Sequence, residues 1–309
     1  MKASTWLPVL RVLASGEQTS GALIGETLGL TRAAIWQRVS YLRSLGLPIH
    51  ASETGYRLDR GAYWPSAQAI DPLVSLPVQV VAETLSTNQD VLQQAPDACC
   101  VIAGYQSAGR GRRGRTWNGV PGRTLMLSVG LSLSIPVTQL SGLSIAVGVA
   151  LCELLNAWRV SARLKWPNDL WIGDRKLGGF LMELQGDVHD AVYVVVGLGL
   201  NVKSITLDGI NPASIDETPK ASWTDTDTAL VIECIERVTH EFPAQDPASL
   251  VERFHRVSAL TGRQVTVSDG RHERSGVMAG INAEGAMLLM TDDGIITIRA
   301  GDVSVRPLA

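Results

Sequence analysis

The sequence predicts a chain of three parts with an α/β domain at its centre. Residues 1–60 contain three short apolar helix patterns followed by a hairpin pattern. From residue 78 to about 242, strand-like and helical patterns alternate, which is typical of an α/β domain. Beyond residue 261 the pattern changes to short alternating runs between turn residues, which is typical of a small all-β barrel. These changes place the domains at residues 1–62, 63–260 and 261–309.

Composition and charge exclude several classes of protein. The 309 residues are 45% hydrophobic, so the chain can bury a large core and is not disordered. The net charge of −3 excludes a polycation, and any nucleic-acid binding must come from a local patch. Pro8 and Arg11 interrupt the apolar start, which argues against a signal peptide, and we expect no run of transmembrane length and no membrane partner.

The cysteines indicate a reducing compartment. Their positions show no metal-ligand spacing, and most lie in apolar runs: Cys99, Cys100, Cys152 and Cys234. Buried free thiols are typical of the cytosol, so we expect a cytoplasmic protein.

The first domain reads as a winged helix-turn-helix. Helix patterns cover residues 7–14, 20–28 and 31–45, with Thr31 as a predicted N-cap of the third. Two helices joined by a short glycine-containing turn form a helix-turn-helix, and the hairpin pattern at 48–58 would be the wing.

The third helix has the composition of a DNA-reading helix. Ile35, Val39 and Leu42 share one face and can pack inward, whereas Trp36 is unusual for an exposed recognition helix and is a candidate for the core. The helix carries three arginines and no acid, and residues 1–60 have a net charge of +3, from seven Lys and Arg against four Asp and Glu. The residues left to contact DNA are Arg32, Gln37, Ser40 and Arg43. The alternative is a winged helix that serves only packing or regulation.

The pattern of apolar and polar residues predicts the strands and helices of the central and C-terminal domains. Strand-like runs cover 78–82, 99–105, 125–133, 163–165, 179–184 and 191–200, and helical patterns cover 88–94, 139–158 and 228–242. Residues 203–227 read as a long loop. The barrel runs are 264–267, 274–278, 286–290 and 295–299, with turns at Asp269-Gly270, Glu284-Gly285 and Asp293-Gly294.

A basic loop at residues 109–115 is the strongest functional signal. It holds four arginines and three glycines, Trp117 follows, and no Asp or Glu occurs from residue 98 to 152. Arginine grips phosphate or carboxylate through a planar fork, and glycine lets backbone amides approach a ligand. We expect the loop to be poorly ordered until an anion binds. Its place between two strand-like runs favours a pocket over a nucleic-acid arm or a solvated surface.

Four further patches accompany the loop along the chain. Each is weak alone, but their order and spacing are specific: Ser86-Thr87-Asn88 with Gln106, then Lys165-Trp166-Pro167-Asn168-Asp169, Arg175-Lys176-Leu177-Gly178-Gly179, and Gly197 to Asn201.

With these motifs the chain resembles the family of bifunctional biotin operon repressors and biotin–protein ligases. The resemblance covers nearly the whole length, and the basic loop combined with Lys-Trp-Pro-Asn-Asp is its most specific part. It implies an α/β (α+β) ligase domain with a mixed sheet, preceded by the winged helix-turn-helix and followed by an SH3-like barrel. It also implies that biotin and ATP give biotinyl-5′-adenylate, which acylates a lysine of the biotin carboxyl carrier protein of acetyl-CoA carboxylase.

The resemblance assigns roles to individual residues. Lys176, Arg112 and Asp169 would be catalytic, with Asp169 as the Mg²⁺ carboxylate. The residues expected to contact biotin or ATP are Ser86, Thr87, Asn88, Gln106, Arg110, Gly111, Arg112, Arg115, Trp117, Lys165, Lys176, Gly197, Gly199 and Asn201. Among them Ser86, Thr87 and Gln106 match the groups that bind the ureido ring, and Trp117 would cover the ligand. The family's adenine-stacking aromatic residue has no assignment here, because the region around Trp223 diverges.

The resemblance also implies a biotin-responsive repressor that binds operator DNA as a ligand-induced homodimer. One alternative is a dedicated biotin ligase with a non-regulatory winged helix, against which the basic recognition helix argues mildly. Another is a regulator that senses biotin without turnover, against which Lys176, Asp169 and the full basic loop argue.

Overall fold

The computed structural model describes residues 3–59, 61–186, 191–205, 211–268, 272–299 and 304–307. The first domain is a winged helix-turn-helix, as predicted. Its elements are α1 (Ala3–Leu13), α2 (Gly21–Leu28), α3 (Arg32–Ser44), β1 (Ile49–Ser52) and β2 (Gly55–Leu58), the last two paired antiparallel as the wing. Ser20 and Thr31 cap α2 and α3 by accepting hydrogen bonds from the backbone N–H of Leu23 and Ala34, which fixes where each helix begins.

The recognition helix α3 corrects one expectation. Ile35, Val39 and Leu42 are buried, as predicted. Trp36 is 62% exposed, so its assignment to the core was wrong. The reason is geometric, because Ile35 takes the core position and the next residue lies ~100° around the helix.

The central domain is built on a mixed sheet, which agrees with the family resemblance. Within the described residues seven strands lie in the order β3-β4-β5-β9-β8-β7-β6, parallel between β3 and β4 and antiparallel elsewhere. The strands are β3 (Val78–Val81), β4 (Cys99–Ala103), β5 (Thr124–Leu133), β6 (Arg163–Lys165), β7 (Asp169–Ile172), β8 (Arg175–Gly186) and β9 (Val192–Asn201). The sequence analysis missed β7, because Asp169 was read only as part of the polar motif Lys165–Asp169 and the strand that follows it has four residues.

Helices cover both faces of this sheet. The helices are α4 (Ala67–Ile70), α5 (Thr87–Leu92), α6 (Leu143–Ala157), α7 (Asp225–Glu241) and α8 (Pro247–Val257). Leu151 of α6 and Ile232 of α7 belong to the main core with Leu127 of β5, whereas Val91 of α5 packs with Val101 of β4 on the other side. The helix α8 was missed, although Asp246 caps it directly before Pro247, which is a recognisable start signal.

The expectation of no apolar run of membrane-spanning length was wrong. Residues Val137–Ala157 are long and apolar enough to cross a membrane by length and composition. Most of this segment is buried inside the protein, where it forms a 3₁₀ turn and the core helix α6. A buried core helix passes the same test, so this is weak evidence for a membrane span.

The cysteines agree with their prediction as buried free thiols. All four lie within the described residues, are buried and form no disulfide. Burial in apolar surroundings raises the pKa of Cys234 to about 11, which keeps its thiol protonated and unreactive at neutral pH.

The C-terminal domain is an antiparallel barrel-like sheet. Its described strands run in the order β13-β12-β11-β10-β14. They are β10 (Gln264–Ser268), β11 (Glu273–Ile281), β12 (Met287–Thr291), β13 (Gly294–Ile298) and β14 (Ser304–Pro307). Gly285 and Gly294 occupy their predicted turns with φ of 76° and 114°, whereas the turn at Asp269-Gly270 lies outside the described residues.

Buried hydrogen bonds join the three domains. Arg123, 1% exposed, donates to the carbonyl oxygens of Asp59 in the first domain and, at 2.6 Å, of Ser204 beyond β9. Trp166, also 1% exposed, donates from its indole Nε1 to the carbonyl of Gly285 in the barrel at 3.0 Å. The central domain is thus the hub to which both smaller domains are attached.

Candidate functional site

The predicted site residues converge on one cavity of about 190 Å³. Beneath the basic loop it is lined by the start of α5, the Lys165–Asp169 segment and glycine-rich parts of β8 and β9. The predicted residues on its wall are Ser86, Thr87, Asn88, Gln106, Arg110, Gly111, Arg112, Arg115, Trp117, Lys165, Asp169, Lys176, Gly197 and Gly199. Residues from five separate motifs therefore meet in one cavity, as the family resemblance implies.

One end of the cavity is neutral and densely hydrogen-bonded. Gln106 Oε1 accepts from the Thr87 backbone N–H at 2.8 Å and from the Thr87 hydroxyl at 3.2 Å. The Thr87 hydroxyl also lies 2.6 Å from the Ser128 hydroxyl, which donates to Asn88 Oδ1 at 2.6 Å. These uncharged groups are held rigidly and can recognise a neutral polar ligand.

The same network reaches the basic loop through Glu183. Asn88 Nδ2 donates to the Glu183 carboxylate at 2.7 Å, and Arg110 forms an ion pair with it at 3.1 Å. Sequence reasoning missed both Ser128 and Glu183. A signal existed, because Ser128 interrupts an apolar strand and Glu183 is the charged residue in the apolar run 179–184.

Two glycines in β9 make room for side chains of the chain itself. A Cβ atom at Gly197 would collide with the Asn88 amide, and one at Gly199 with the Trp117 indole. The resemblance implies that both glycines contact biotin or ATP. In the structure, the absence of a side chain at these glycines leaves space for Asn88 and Trp117 on the cavity wall. The Trp117 Nε1 is buried and has no partner among the described residues, so it can donate to a ligand.

The basic loop forms a small closed hairpin. Trp117 N–H donates to Gly109 O at 2.8 Å, and Gly111 N–H donates to Arg115 O at 2.7 Å. Arg113 adopts a φ of 61°, a left-handed conformation that turns the chain between these contacts. Arg112 donates to Asn168 Oδ1 at 3.3 Å, which ties the loop to the Lys165–Asp169 segment.

Lys176 lies at the centre of the charged end. Its Nζ is 2.6 Å from Asp169 Oδ1 and 5.2 Å from the centre of the Trp117 ring. A β-bulge between β7 and β8 changes the register from Leu170–Gly178 to Trp171–Lys176. The Lys176 side chain is 40% exposed, so a ligand in the cavity can reach its ammonium.

Lys165 is a second cation at this end, and it is more buried. Burial lowers the pKa of its ammonium, Asp169 opposes that change, and the positive charges of Lys176, Arg115 and Arg306 add to it. Its Nζ lies 4.5 Å from the centre of the Trp171 ring. A lysine crowded by like charges is stabilised when a polyanion binds.

Asp169 is the only predicted metal ligand. Within the described residues, no group of three or more His, Cys, Asp and Glu side chains could hold a metal ion. This donor set does not suit a metal held by protein alone, but it fits Mg²⁺, which binds through one or two carboxylates plus substrate phosphates.

Two residues lie away from the cavity. Asn201 is buried and not on the wall, and its amide donates to the Ala213 carbonyl at 3.2 Å; its contact with the nucleotide stays a prediction. Trp223 packs edge-on against Trp158 and donates to the Thr228 hydroxyl at 2.9 Å, so it does not line the cavity either.

The predicted DNA-contacting residues share the outside of α3. Arg32, Gln37 and Arg43 are exposed and Ser40 is half-buried. Arg43 also donates from Nε to the Ile49 carbonyl at 2.7 Å, which braces the wing against the recognition helix.

Comparison with known proteins identifies the family to which each part of this chain is similar. Residues 6–57 match an HTH domain, residues 76–201 match the Biotin/lipoate A/B protein ligase family, and residues 260–306 match the Biotin protein ligase C terminal domain. The chain is 34% identical to the "Bifunctional ligase/repressor BirA" of Escherichia coli, with 97% of each chain covered. It is 30% identical to the biotin–acetyl-CoA-carboxylase ligase of Mycobacterium tuberculosis, over 73% of this chain and 88% of that protein.

A solved structure has the same fold. The biotin protein ligase from Aquifex aeolicus, in complex with biotin and ATP, covers 75% of this chain and 99% of its own, at a TM-score of 0.62 and 24% identity. This chain thus belongs to the biotin protein ligases, in the family of bifunctional ligase/repressors that carry an N-terminal helix-turn-helix domain.

Proposed function

We propose that this protein joins biotin to ATP to form biotinyl-5′-adenylate, transfers biotin to a lysine of a carrier protein, and represses biotin-synthesis genes in response to biotin. The relatives that match nearly its full length are named ligase and repressor together. The observation that carries the chemistry is the cavity itself, with a neutral hydrogen-bonding end and a strongly cationic end on one wall.

The neutral end suits the ureido ring of biotin. The ring presents N–H donors and a carbonyl acceptor, and the rigid Thr87, Gln106, Ser128 and Asn88 network offers both kinds of partner. An analogue without the ring's polar groups would leave these groups unpaired, and a site built on hydrogen bonds rejects such analogues strongly.

The cationic end suits the activation step. The carboxylate oxygen of biotin attacks the α-phosphorus of ATP, the bond to the β-phosphate oxygen breaks, and pyrophosphate leaves. Two anions must approach each other, and their Coulomb repulsion opposes the step. Lys176, Lys165 and the loop arginines face this space and offset that repulsion, so catalysis rests on positioning and electrostatic stabilisation.

Mg²⁺ is part of this proposal. Asp169 would hold it together with the phosphates of ATP, and the ion would neutralise phosphate charge. Asp169 also pairs with Lys176 at 2.6 Å, so the same carboxylate positions the lysine ammonium.

The second step needs no nucleophile from this chain. The attacking amine is a lysine of the partner, which we propose to be the biotin carboxyl carrier protein of acetyl-CoA carboxylase, in agreement with the names of the related ligases. The amine attacks the acyl carbon of the adenylate, and AMP leaves. We further propose that the protein works in the cytoplasm.

Repression would require two winged helices, one from each copy of the chain. We propose that the adenylate, once held under the basic loop, favours a homodimer that presents two recognition helices to a two-fold operator. Operator affinity should therefore rise when biotin and ATP are supplied, because ligand binding and dimerisation are linked. The dedicated-ligase alternative predicts ligation with no sequence-selective DNA binding.

The experiment that tests the ligase function uses the full-length protein with biotin, ATP and MgCl₂. We expect biotinyl-5′-adenylate bound to the protein by mass spectrometry, pyrophosphate release, and biotin transfer on addition of the carrier protein. EDTA should stop adenylate formation. Absence of the adenylate at saturating substrates would overturn the enzymatic assignment.

A further inference from the structure

Trp36 lies on the exposed surface of α3, between Arg32 and Ser40 around the helix. At about 100° per residue, Arg32, Trp36, Ser40 and Arg43 fall within an arc of about 80° on the helix. We call these four residues the outer stripe. Trp36 is the fifth residue of α3, near the N-terminal half that recognition helices direct at base edges.

The indole of Trp36 is free to contact a partner. The residue is 62% exposed, and among the described residues no ring stacks on it and no cation lies over its face. A large apolar side chain left in water on a helix surface costs free energy that binding can recover. The neighbouring core positions Ile35 and Val39 are both 1% exposed, so the helix is fully packed without Trp36.

We propose that Trp36 reads thymine in operator DNA by packing its indole against the C5-methyl group in the major groove. This inference rests on the proposed repressor function. Thymine is the base that presents an apolar group in the major groove, and apolar side chains recognise it there. Arg32 and Arg43 flank the indole at −4 and +7 on the same stripe, so contacts to the phosphate backbone would hold it in the groove.

Charge complementarity favours DNA over another protein as the occupant. The helix carries Arg32, Arg38 and Arg43 and no acidic residue, and Arg43 is already braced against the wing. A surface that combines fixed cations with one central apolar side chain matches a polyanion that carries methyl groups. A second copy of the chain would place the same arginines opposite one another, which like-charge repulsion disfavours.

The test separates the indole contact from DNA binding in general. The probe is a duplex selected from a random-sequence pool by the full-length protein with biotin, ATP and MgCl₂. Each thymine is then replaced singly by deoxyuridine, which lacks only the methyl group, and Kd is measured by fluorescence anisotropy for the wild type, Trp36→Ala and Trp36→Phe. Ile295→Ala, at a residue 64% exposed on the barrel, is the matched control.

We expect deoxyuridine at one thymine or more in each half-site to weaken wild-type binding roughly three- to fivefold, the effect of one buried methyl group. Trp36→Ala should bind the thymine duplex more weakly and no longer distinguish thymine from deoxyuridine there, whereas Trp36→Phe should keep part of the preference. The salt dependence of binding should not change in Trp36→Ala, because no charge is lost. Ligation and the control variant should match the wild type.

Other outcomes would overturn the inference. They are a selected duplex without thymine in the bound half-sites, an equal thymine preference in wild type and Trp36→Ala, or a loss of self-association in Trp36→Ala without DNA. If the wild type selects no sequence at all, the repressor function itself fails, and this inference fails with it.

Discussion

At the scale of single residues, the site depends on a few charges whose surroundings are unequal. Lys176 is 40% exposed beside Asp169, whereas Lys165 is half-buried and crowded by other cations. The two lysines can therefore serve the same anionic ligand and still respond differently to substitution and to pH.

Lys176→Ala should keep the fold and slow adenylate formation by roughly 100- to 1,000-fold, since one preorganised charge facing two anions is lost. The measurement is single-turnover adenylation under quench flow. Arg175→Ala is the matched control, because Arg175 pairs with Glu217 at 2.6 Å and does not line the cavity. Adenylation at wild-type speed would refute the role of Lys176.

The pH dependence should identify Lys165. Burial lowers its pKa, so as pH rises its ammonium is lost earlier than that of an exposed lysine, whose pKa is about 10.4. The kcat/KM for ATP should fall over that alkaline range, because kcat/KM reports the ionisation of the free enzyme. In Lys165→Arg the fall should move to higher pH, since a guanidinium keeps its charge. An unchanged profile in this variant would assign the titration to another group.

At the scale of elements, the basic loop and α3 each combine a hydrogen-bonded or packed backbone with exposed cations. The loop is closed by backbone hydrogen bonds and is tied to the rest of the site by Arg112 and Arg110. The recognition helix is fixed by its buried face and by the contact from Arg43 to the wing.

Arg112→Gly should release the adenylate faster while it affects biotin binding less, because the loop covers the finished intermediate. Released adenylate is reactive, so it should label lysines of bystander proteins. Retention of radiolabelled adenylate and biotinylation of added serum albumin measure the two effects. The control Arg237→Ala removes one positive charge from the exposed surface of α7 and should change neither adenylate retention nor the labelling of serum albumin. Equal retention in Arg112→Gly and wild type would mean that the loop is not a lid.

Arg32→Ala and Arg43→Ala should each weaken operator binding and leave ligation intact. If Arg32 contacts phosphate, its loss should reduce the slope of log Kd against log salt concentration by about 1. If Arg32 contacts a base edge, its loss should relax the sequence preference at that base pair. Arg43→Lys should keep the charge and lose the hydrogen bond from Nε to the Ile49 carbonyl. A partial loss of operator affinity in this variant would measure how much that hydrogen bond contributes by holding the wing against α3. A band shift at several salt concentrations distinguishes these cases.

At the scale of the whole molecule, the cavity is completed by more than one domain. Val305 of β14 in the barrel lines it, and Trp166 of the central domain reaches the barrel through Gly285. Trp166 lies between Lys165 and Pro167 in the motif that carries Asp169, so docking of the barrel helps to position the charged end.

Trp166→Phe should keep most of the packing and lose the hydrogen bond to Gly285. We expect a stability loss of about 1 kcal/mol and a raised KM for ATP with a smaller change in kcat. Trp6→Phe is the matched control, because Trp6 is fully buried and its Nε1 has no partner among the described residues. Thermal unfolding and steady-state kinetics check both variants, and a KM equal to that of the wild type would show that the barrel contact does not position the motif.

The sequence by itself determined most of the local structure and predicted an anion-binding site. The apolar period and the capping residues predicted the bounds of the helices in the winged helix to within a few residues. Such signals are local, because an N-cap such as Thr31 and a face such as Ile35, Val39 and Leu42 span only a few helical turns. The basic loop and the motif Lys165–Asp169 specified an anion site, since charge and glycine content are properties of short segments.

Only the tertiary structure decided which distant residues share the cavity. Ser128 and Glu183 enter the site through sheet register, Asn201 lies off the cavity wall with its amide bound to Ala213, and Gly197 and Gly199 leave room for the side chains of Asn88 and Trp117. Trp36 is a different case, because the buried face was predicted correctly and the ~100° step from Ile35 already directs the indole away from it. Contacts between residues far apart in sequence depend on strand pairing and packing, which periodicity within one segment does not encode.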